Sequence, residues 1–140
     1  MILESSSDAE TEAFAASCAS FIQTGDTLLL VGGLGAGKTC FVRGLVLALG
    51  GDPDEVSSPT FALVHPYTLQ DGVLHHWDLY RLKDNTDWSV LDLDDHLADS
   101  HSTTVIEWPE RYPSWASLPA HRLTIETLGE NRRRLHFQHH

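Results

Sequence analysis

The sequence contains the stretch Gly32-Gly33-Leu34-Gly35-Ala36-Gly37-Lys38-Thr39, which decides the predicted fold. It matches the G-x-x-x-x-G-K-[ST] pattern of a phosphate-binding loop. The glycines of such a loop let backbone N–H groups turn toward phosphate oxygens without a Cβ in the way. Lys38 is expected to reach the β and γ phosphates of a nucleotide, and the Thr39 hydroxyl is expected to ligate Mg²⁺.

The flanks of this loop show the context in which the pattern binds phosphate. Residues 27–31 form a short continuous apolar run, typical of a strand that is buried on both faces. Residues 38–49 fit a helix that stops at Gly50-Gly51, and its N-terminal dipole favours an anion. A strand, a glycine loop and a helix therefore follow one another, which argues against an idle glycine-rich turn.

A second helix is predicted before the first strand. Ser7 and Glu10 fit a capping box at its start, and Gly25 fits its end. Its predicted apolar face consists of Phe14, Cys18, Phe21 and Ile22.

Short strands dominate the remainder of the chain. The predicted segments are a hairpin of 60–68 and 73–77 around Asp71-Gly72, a loop with a short helix at 84–97, a strand at 103–108, and an antiparallel pair of 122–128 and 133–137. Together these segments predict one α/β domain over residues 1–140. Its central sheet is expected to be mixed and largely parallel, with about three flanking helices.

Composition and charge restrict the class of protein. The 140 residues include 9 basic and 20 acidic side chains, a net charge of −11, which disfavours broad contact with nucleic acid or an anionic membrane. Two cysteines are too few for a disulfide-stapled secreted scaffold. The N-terminus lacks the features of a signal peptide, and the apolar runs are too short to cross a bilayer. We therefore expect a cytoplasmic protein.

Two carboxylates follow predicted strands and are candidates for a metal site. Asp78 comes directly after residues 73–77, and Glu107 comes after residues 103–106. A phosphate loop needs a carboxylate across the site to complete the shell of the metal ion. The spacing does not decide which of the two ligates Mg²⁺, and each also fits a solvated strand end.

Thr60 and the histidines are weaker candidates. Thr60, in Ser58-Pro59-Thr60-Phe61, could be a switch threonine that senses the γ-phosphate, but its local context favours a proline-containing turn leading into a strand. The adjacent His75 and His76 are expected to point to opposite faces of a strand. Because no histidine or cysteine spacing matches a zinc site, we interpret the histidines as structural or solvated.

Five separated segments together resemble the bacterial TsaE (YjeE) family. They are Gly32 to Thr39 with Arg43-Gly44, Ser58-Pro59-Thr60-Phe61, His76-Trp77-Asp78-Leu79-Tyr80-Arg81, Ile106-Glu107-Trp108-Pro109, and an arginine near Arg132. The phosphate loop alone fits many families, whereas the His-x-Asp-x-Tyr-Arg and Glu-Trp-Pro segments are far more specific.

The resemblance implies a function and a set of roles. The family is a small P-loop ATPase that binds ATP/ADP and Mg²⁺, is required for threonylcarbamoyladenosine modification of tRNA, and works on the partner proteins TsaD and TsaB rather than on tRNA directly. It implies catalytic roles for Lys38, Asp78, Glu107 and Thr60, and metal ligation by Thr39, Glu107 and Asp78. The implied nucleotide-binding residues are Thr11, Gly33, Leu34, Gly35, Ala36, Gly37, Lys38, Thr39 and Arg132.

One departure from the family pattern concerns ATP hydrolysis. Gly33 stands where the family carries aspartate, which puts ATP hydrolysis in more doubt than ATP binding. This keeps open a binding module that ATP switches without hydrolysis. A separate alternative is a small-molecule or nucleotide kinase, for which the chain has no obvious lid.

Overall fold

A seven-stranded mixed sheet forms the centre of the molecule. A computed structural model describes residues 1–57 and 62–140. The strands are β1 (Ile2–Ser5), β2 (Thr27–Gly32), β3 (Val64–Thr68), β4 (Val73–Asp78), β5 (Ser102–Glu107), β6 (His121–Gly129) and β7 (Arg132–Gln138). The α-helices are α1 (Asp8–Ala19), α2 (Lys38–Ala48) and α3 (Leu93–Ala98). The predicted segments outside residues 58–61 are thus confirmed in type, with boundaries shifted by a few residues.

The parallel part of the sheet lies at its centre. The strand order is β1-β7-β6-β2-β5-β4-β3. Strand β2 pairs in parallel with β5 and β6, and β4 pairs in parallel with β5. The pairs at the two edges are antiparallel, namely β3 with β4, β6 with β7 and β1 with β7. The predicted mixed sheet is confirmed, and its parallel character is confined to the four central strands.

The two faces of the sheet are covered differently. One face packs against α1 and α2 in an apolar core that includes Leu28, Leu30, Phe41 and Leu135. The other face buries Leu29, Trp77 and Ile106 under α3 and the proline-containing connection after β5. Alternation along β2, with Leu28 and Leu30 on one face and Leu29 on the other, explains why its sequence is continuously apolar.

The N-terminal segment differs from the prediction in three ways. Strand β1 was not predicted, and it pairs with β7 at the edge of the sheet. Helix α1 ends at Ala19 with Ser20 as its C-cap, so Gly25 belongs to the turn before β2 rather than to the helix end. Phe21 therefore lies beyond the helix and is 42% exposed. The N-cap is confirmed, because the Ser7 side chain accepts a hydrogen bond from the Glu10 N–H.

Over the part of the chain that the structure describes, no helix combines the length and the apolar character that crossing a membrane requires.

Candidate functional site

The carboxyl ends of the central strands converge on one cleft. Strands β2, β4 and β5 run parallel, so all three end at the same edge of the sheet. The glycine loop leaves β2 at this edge, and Asp78 and Glu107 end β4 and β5 as register neighbours. Such an edge is where open α/β sheets bind their ligands.

The cleft brings most of the predicted site residues together. It has a volume of about 340 Å³ and is lined by residues 34–39, by Asp78 and Glu107, and by Asp8, Trp108 and Arg133. A Cβ built on Gly33 or Gly35 would meet no atom within 4 Å, so the loop borders open space. The loop therefore leaves room for a ligand beside its backbone.

Lys38 is buried at the base of the cleft. Its Nζ donates a hydrogen bond of 2.8 Å to the Gly32 carbonyl oxygen and lies 3.8 Å from Glu107 Oε1. Burial lowers the pKa of Lys38, and this shift is opposed chiefly by the nearby Glu107 and Asp78 carboxylates. The ammonium group is thus held by oxygens that an incoming phosphate could replace.

Trp108 covers Lys38 from the next position after Glu107. The centroid of a Trp108 ring lies 4.4 Å from Lys38 Nζ, within the range of a cation–π contact. Trp108 also has a φ of 57°, which is unusual for a bulky residue. The Glu-Trp-Pro segment distinguishes this tryptophan from the other three in the sequence, but it does not predict the contact with Lys38.

Asp78 and Glu107 have different surroundings within the same cleft. An Asp78 oxygen accepts a hydrogen bond of 2.9 Å from the Tyr80 N–H, which fixes the carboxylate at the strand end. Glu107 contacts Lys38 through Oε1 and hydrogen-bonds His76 Nε2 through Oε2. His76 in turn lies behind the cleft rather than in it, and it is fully buried.

His75 and His76 point to opposite faces of β4, as predicted. His75 stacks on His96 of α3 with ring centroids 3.6 Å apart, whereas His76 hydrogen-bonds Glu107. Their interpretation as structural or solvated did not include this contact between His76 and a candidate site residue.

Among the described residues, three predicted site residues are not part of the cleft lining. Thr11 is fully buried, and its hydroxyl lies 2.8 Å from that of Ser5. Gly33 precedes the lining residues of the loop. Arg132 is exposed and pairs with Glu4 of β1 at 2.8 Å. Thr60 lies outside the described residues.

Arg133 occupies the place in the cleft that was expected of Arg132. Side chains alternate along a strand, so Arg132 points to one face of β7 while Arg133 points to the face covered by α1 and α2. The Arg133 guanidinium lies 3.1 Å from the position of a Cβ built on Gly37, and its Nη1 is 3.5 Å from Asp8 Oδ1. The structure thus brings Arg133 rather than Arg132 to the cleft lining, and a role of Arg132 near the nucleotide stays a prediction.

The residues of the cleft fit a nucleotide with Mg²⁺. Loop amides, a buried lysine and a nearby arginine are groups that bind phosphate oxygens. The Thr39 hydroxyl and the carboxylates of Asp78 and Glu107 supply oxygen donors, which Mg²⁺ prefers and usually combines with phosphate oxygens.

Comparison with known proteins places the chain in a family. The family model described as threonylcarbamoyl adenosine biosynthesis protein TsaE matches residues 5–135. The chain belongs to the TsaE family.

Individual TsaE relatives match nearly the whole chain. TsaE of Aquifex aeolicus is 37% identical over 136 residues, covering 96% of this chain and 92% of the relative. TsaE of Bacillus subtilis is 37% identical over 132 residues, covering 91% of this chain and 78% of the relative. Both proteins carry the name tRNA threonylcarbamoyladenosine biosynthesis protein.

A solved structure resembles the fold as well. The crystal structure of Bacillus subtilis YdiB superposes with a TM-score of 0.75 at 27% identity, covering 98% of this chain and 83% of that chain. The predicted TsaE resemblance and the predicted mixed α/β fold are both confirmed.

Proposed function

We propose that this chain is a Mg²⁺-dependent ATP-binding protein and ATPase that serves threonylcarbamoyladenosine modification of tRNA. The observation that carries the proposal is the position of Lys38, which is buried at the glycine loop and lies 3.8 Å from Glu107 in the shared cleft. The names of the TsaE relatives supply the pathway. The acidic net charge of −11 supports action through the partner proteins TsaD and TsaB in the cytoplasm rather than extensive contact with tRNA.

The proposed roles follow from the groups that line the cleft. Lys38 and the amides of residues 34–39 hold the phosphates, and Arg133 approaches them from β7. Thr39, Glu107 and Asp78 would hold Mg²⁺, which would supply neutralisation of charge on the phosphate oxygens. Glu107 and Asp78 are also the carboxylates whose charges act on the Lys38 ammonium group.

The first prediction concerns Lys38→Ala. This substitution removes a charge-assisted contact to phosphate, so ATP affinity should fall about a hundredfold, or roughly 2.7 kcal/mol. Isothermal titration calorimetry with ATP and Mg²⁺ measures the change. Lys83→Ala is the matched control, because Lys83 is the other lysine of the chain and is exposed. Unchanged ATP affinity in Lys38→Ala would overturn the nucleotide site.

Phosphate release from ATP tests whether the chain hydrolyses ATP and whether the TsaD–TsaB pair stimulates it. We expect slow release by the chain alone and faster release with the TsaD–TsaB pair, with Lys38→Ala as the blank. Tight ATP binding without any release would favour the ATP-switched binding module, for which Gly33 in place of the family aspartate is the specific observation. Transfer of phosphate to a nucleoside instead of water would favour a kinase.

A further inference from the structure

Behind the cleft, three buried side chains connect neighbouring strands of the sheet. Tyr67 of β3, His76 of β4 and Glu107 of β5 lie on the face covered by α1 and α2, and each is at most 3% exposed. The Tyr67 hydroxyl lies 3.2 Å from His76 Nδ1, and His76 Nε2 hydrogen-bonds Glu107 Oε2. The Glu107 carboxylate at the cleft is therefore connected through His76 to the Tyr67 hydroxyl, which does not line the cleft.

The chemistry of these groups assigns the direction of the hydrogen bonds. Glu107, which faces the Lys38 ammonium group, accepts as a carboxylate, so His76 Nε2 carries the proton and donates it. On the other side of the ring, the Tyr67 hydroxyl lies 3.2 Å from Nδ1, and it also donates a hydrogen bond of 3.3 Å to the Ser57 carbonyl oxygen. Burial raises the pKa of Tyr67, which keeps this hydroxyl protonated.

The two oxygens of Glu107 are consequently in different positions. Oε2 is hydrogen-bonded to the fully buried His76 side chain, whereas Oε1 faces Lys38 and the cleft. A metal ion that took the place of Lys38 beside Glu107 could reach Oε1 without disturbing the bond to His76.

We propose that His76 is a positioning residue for Glu107: it holds Oε2 at the back of the cleft, so that Glu107 offers the single oxygen Oε1 to a metal ion. Tyr67, which is itself anchored to the Ser57 carbonyl oxygen, contacts Nδ1 and holds the orientation of the His76 ring. The inference rests on the proposed function, because it assigns a supporting residue to the same site. Carboxylates and imidazoles that orient ligating groups are general features of metal sites.

The test compares substitutions that keep or remove the donor to Glu107. His76→Gln retains an N–H that can reach Oε2, whereas His76→Leu removes it. The measured quantity is the affinity for a non-hydrolysable ATP analogue with Mg²⁺ divided by its affinity with EDTA, obtained by calorimetry. We expect this ratio to fall about ten- to a hundredfold in His76→Leu and about threefold in His76→Gln, with affinity in EDTA nearly unchanged.

Two further variants keep the test decisive. His75→Leu is the matched control on the opposite face of β4, and it should leave the ratio unchanged. Tyr67→Phe removes only one hydroxyl, and it provides the test if His76→Leu does not fold. We expect Tyr67→Phe to lower the ratio as well. An unchanged ratio in folded His76→Leu, or an equal fall in His76→Leu and His76→Gln, would overturn the positioning role.

A measurement without nucleotide separates this inference from the proposed function. Long-range ¹H–¹⁵N spectra of the wild-type chain should show His76 protonated at Nε2. An unprotonated Nε2 would overturn the positioning role. A wild-type chain with this proton but with no effect of Mg²⁺ on ATP binding would overturn the proposed metal site and leave the His76–Glu107 arrangement standing.

Discussion

The two ends of the parallel strands use glycine for opposite purposes. At the carboxyl ends, Gly33 and Gly35 border open space, since a Cβ on either would meet no atom within 4 Å. At the amino ends, a Cβ on Gly25 would lie 2.9 Å from the Ser100 carbonyl oxygen, and one on Gly72 would lie 2.2 Å from that of His101. One end of the sheet therefore keeps a surface free for a ligand, while the other is closed by backbone packing.

Each end also contains a histidine hydrogen-bonded to a carboxylate. His76 and Glu107 at the carboxyl end have side chains that are 0% and 4% exposed. His121 and Asp26 at the amino end are 2.8 Å apart, and the Asp26 side chain is 36% exposed. Because the His76–Glu107 pair is buried, only neighbouring protein groups can stabilise its polar atoms. Water also solvates the partly exposed His121–Asp26 pair. Two similar residue pairs thus lie in different environments, one buried beside the cleft and the other partly exposed at the opposite end of the sheet.

Gly72→Ala is expected to produce the largest loss of stability. Gly72 has a φ of 86°, and its Cβ would overlap the His101 carbonyl oxygen. The strained backbone and the displaced strand should together lower the free energy of unfolding by about 3 kcal/mol. Urea denaturation followed by circular dichroism measures this. A loss below about 1 kcal/mol would show that the amino end is less tightly packed than described.

Asp26→Ala should have an intermediate effect. The Asp26 carboxylate accepts hydrogen bonds from His121 Nε2 and from the Gln23 N–H. Losing both, at a partly exposed position, should reduce the free energy of unfolding by about 1.5 kcal/mol. Asp26→Asn keeps one acceptor oxygen and is expected to lose about half as much. If Asp26→Ala matched the wild type in thermal and urea unfolding, the pair would make no contribution to stability.

Gly33→Ala should have the smallest effect on stability. Its Cβ enters open space, and Gly33 does not have the left-handed backbone of Gly72. We expect a change in the free energy of unfolding within about 0.5 kcal/mol, measured by the same urea titration. A loss of stability comparable to that of Gly72→Ala would show that glycine is required as strictly at the carboxyl ends of the strands as at the amino ends. Gly33→Asp, which introduces the residue expected from the family pattern, then allows hydrolysis to be compared in a stable protein.

Local patterns were sufficient to predict most of the fold. The apolar run before the glycine loop, the helix after it and the Asp71-Gly72 turn are all determined by residues close together in sequence. The convergence of Lys38, Asp78 and Glu107 was predictable too, because parallel strands end at the same edge of a sheet.

Long-range contacts explain what the sequence did not indicate. Strand β1 has only four residues, and Ile2 pairs with His136 far along the chain. Arg132 and Arg133 differ only in the face of β7 to which they point, which follows from the pairing of β7 rather than from composition. The contact of His76 with Glu107 likewise joins two strands, and a histidine beside another histidine does not predict it.

The pairing of β1 with β7 also sets an order for events during translation. Residues 2–5 are synthesised before their register partners, residues 133–136. Strand β1 therefore stays without its partner while β2 to β6 are synthesised, and an unpaired strand can pair incorrectly. Arg133, which approaches Asp8 across the cleft, belongs to the same later strand. The cleft is consequently complete only once β7 has been synthesised, so a ligand bound there stabilises the folded chain rather than intermediates that lack β7.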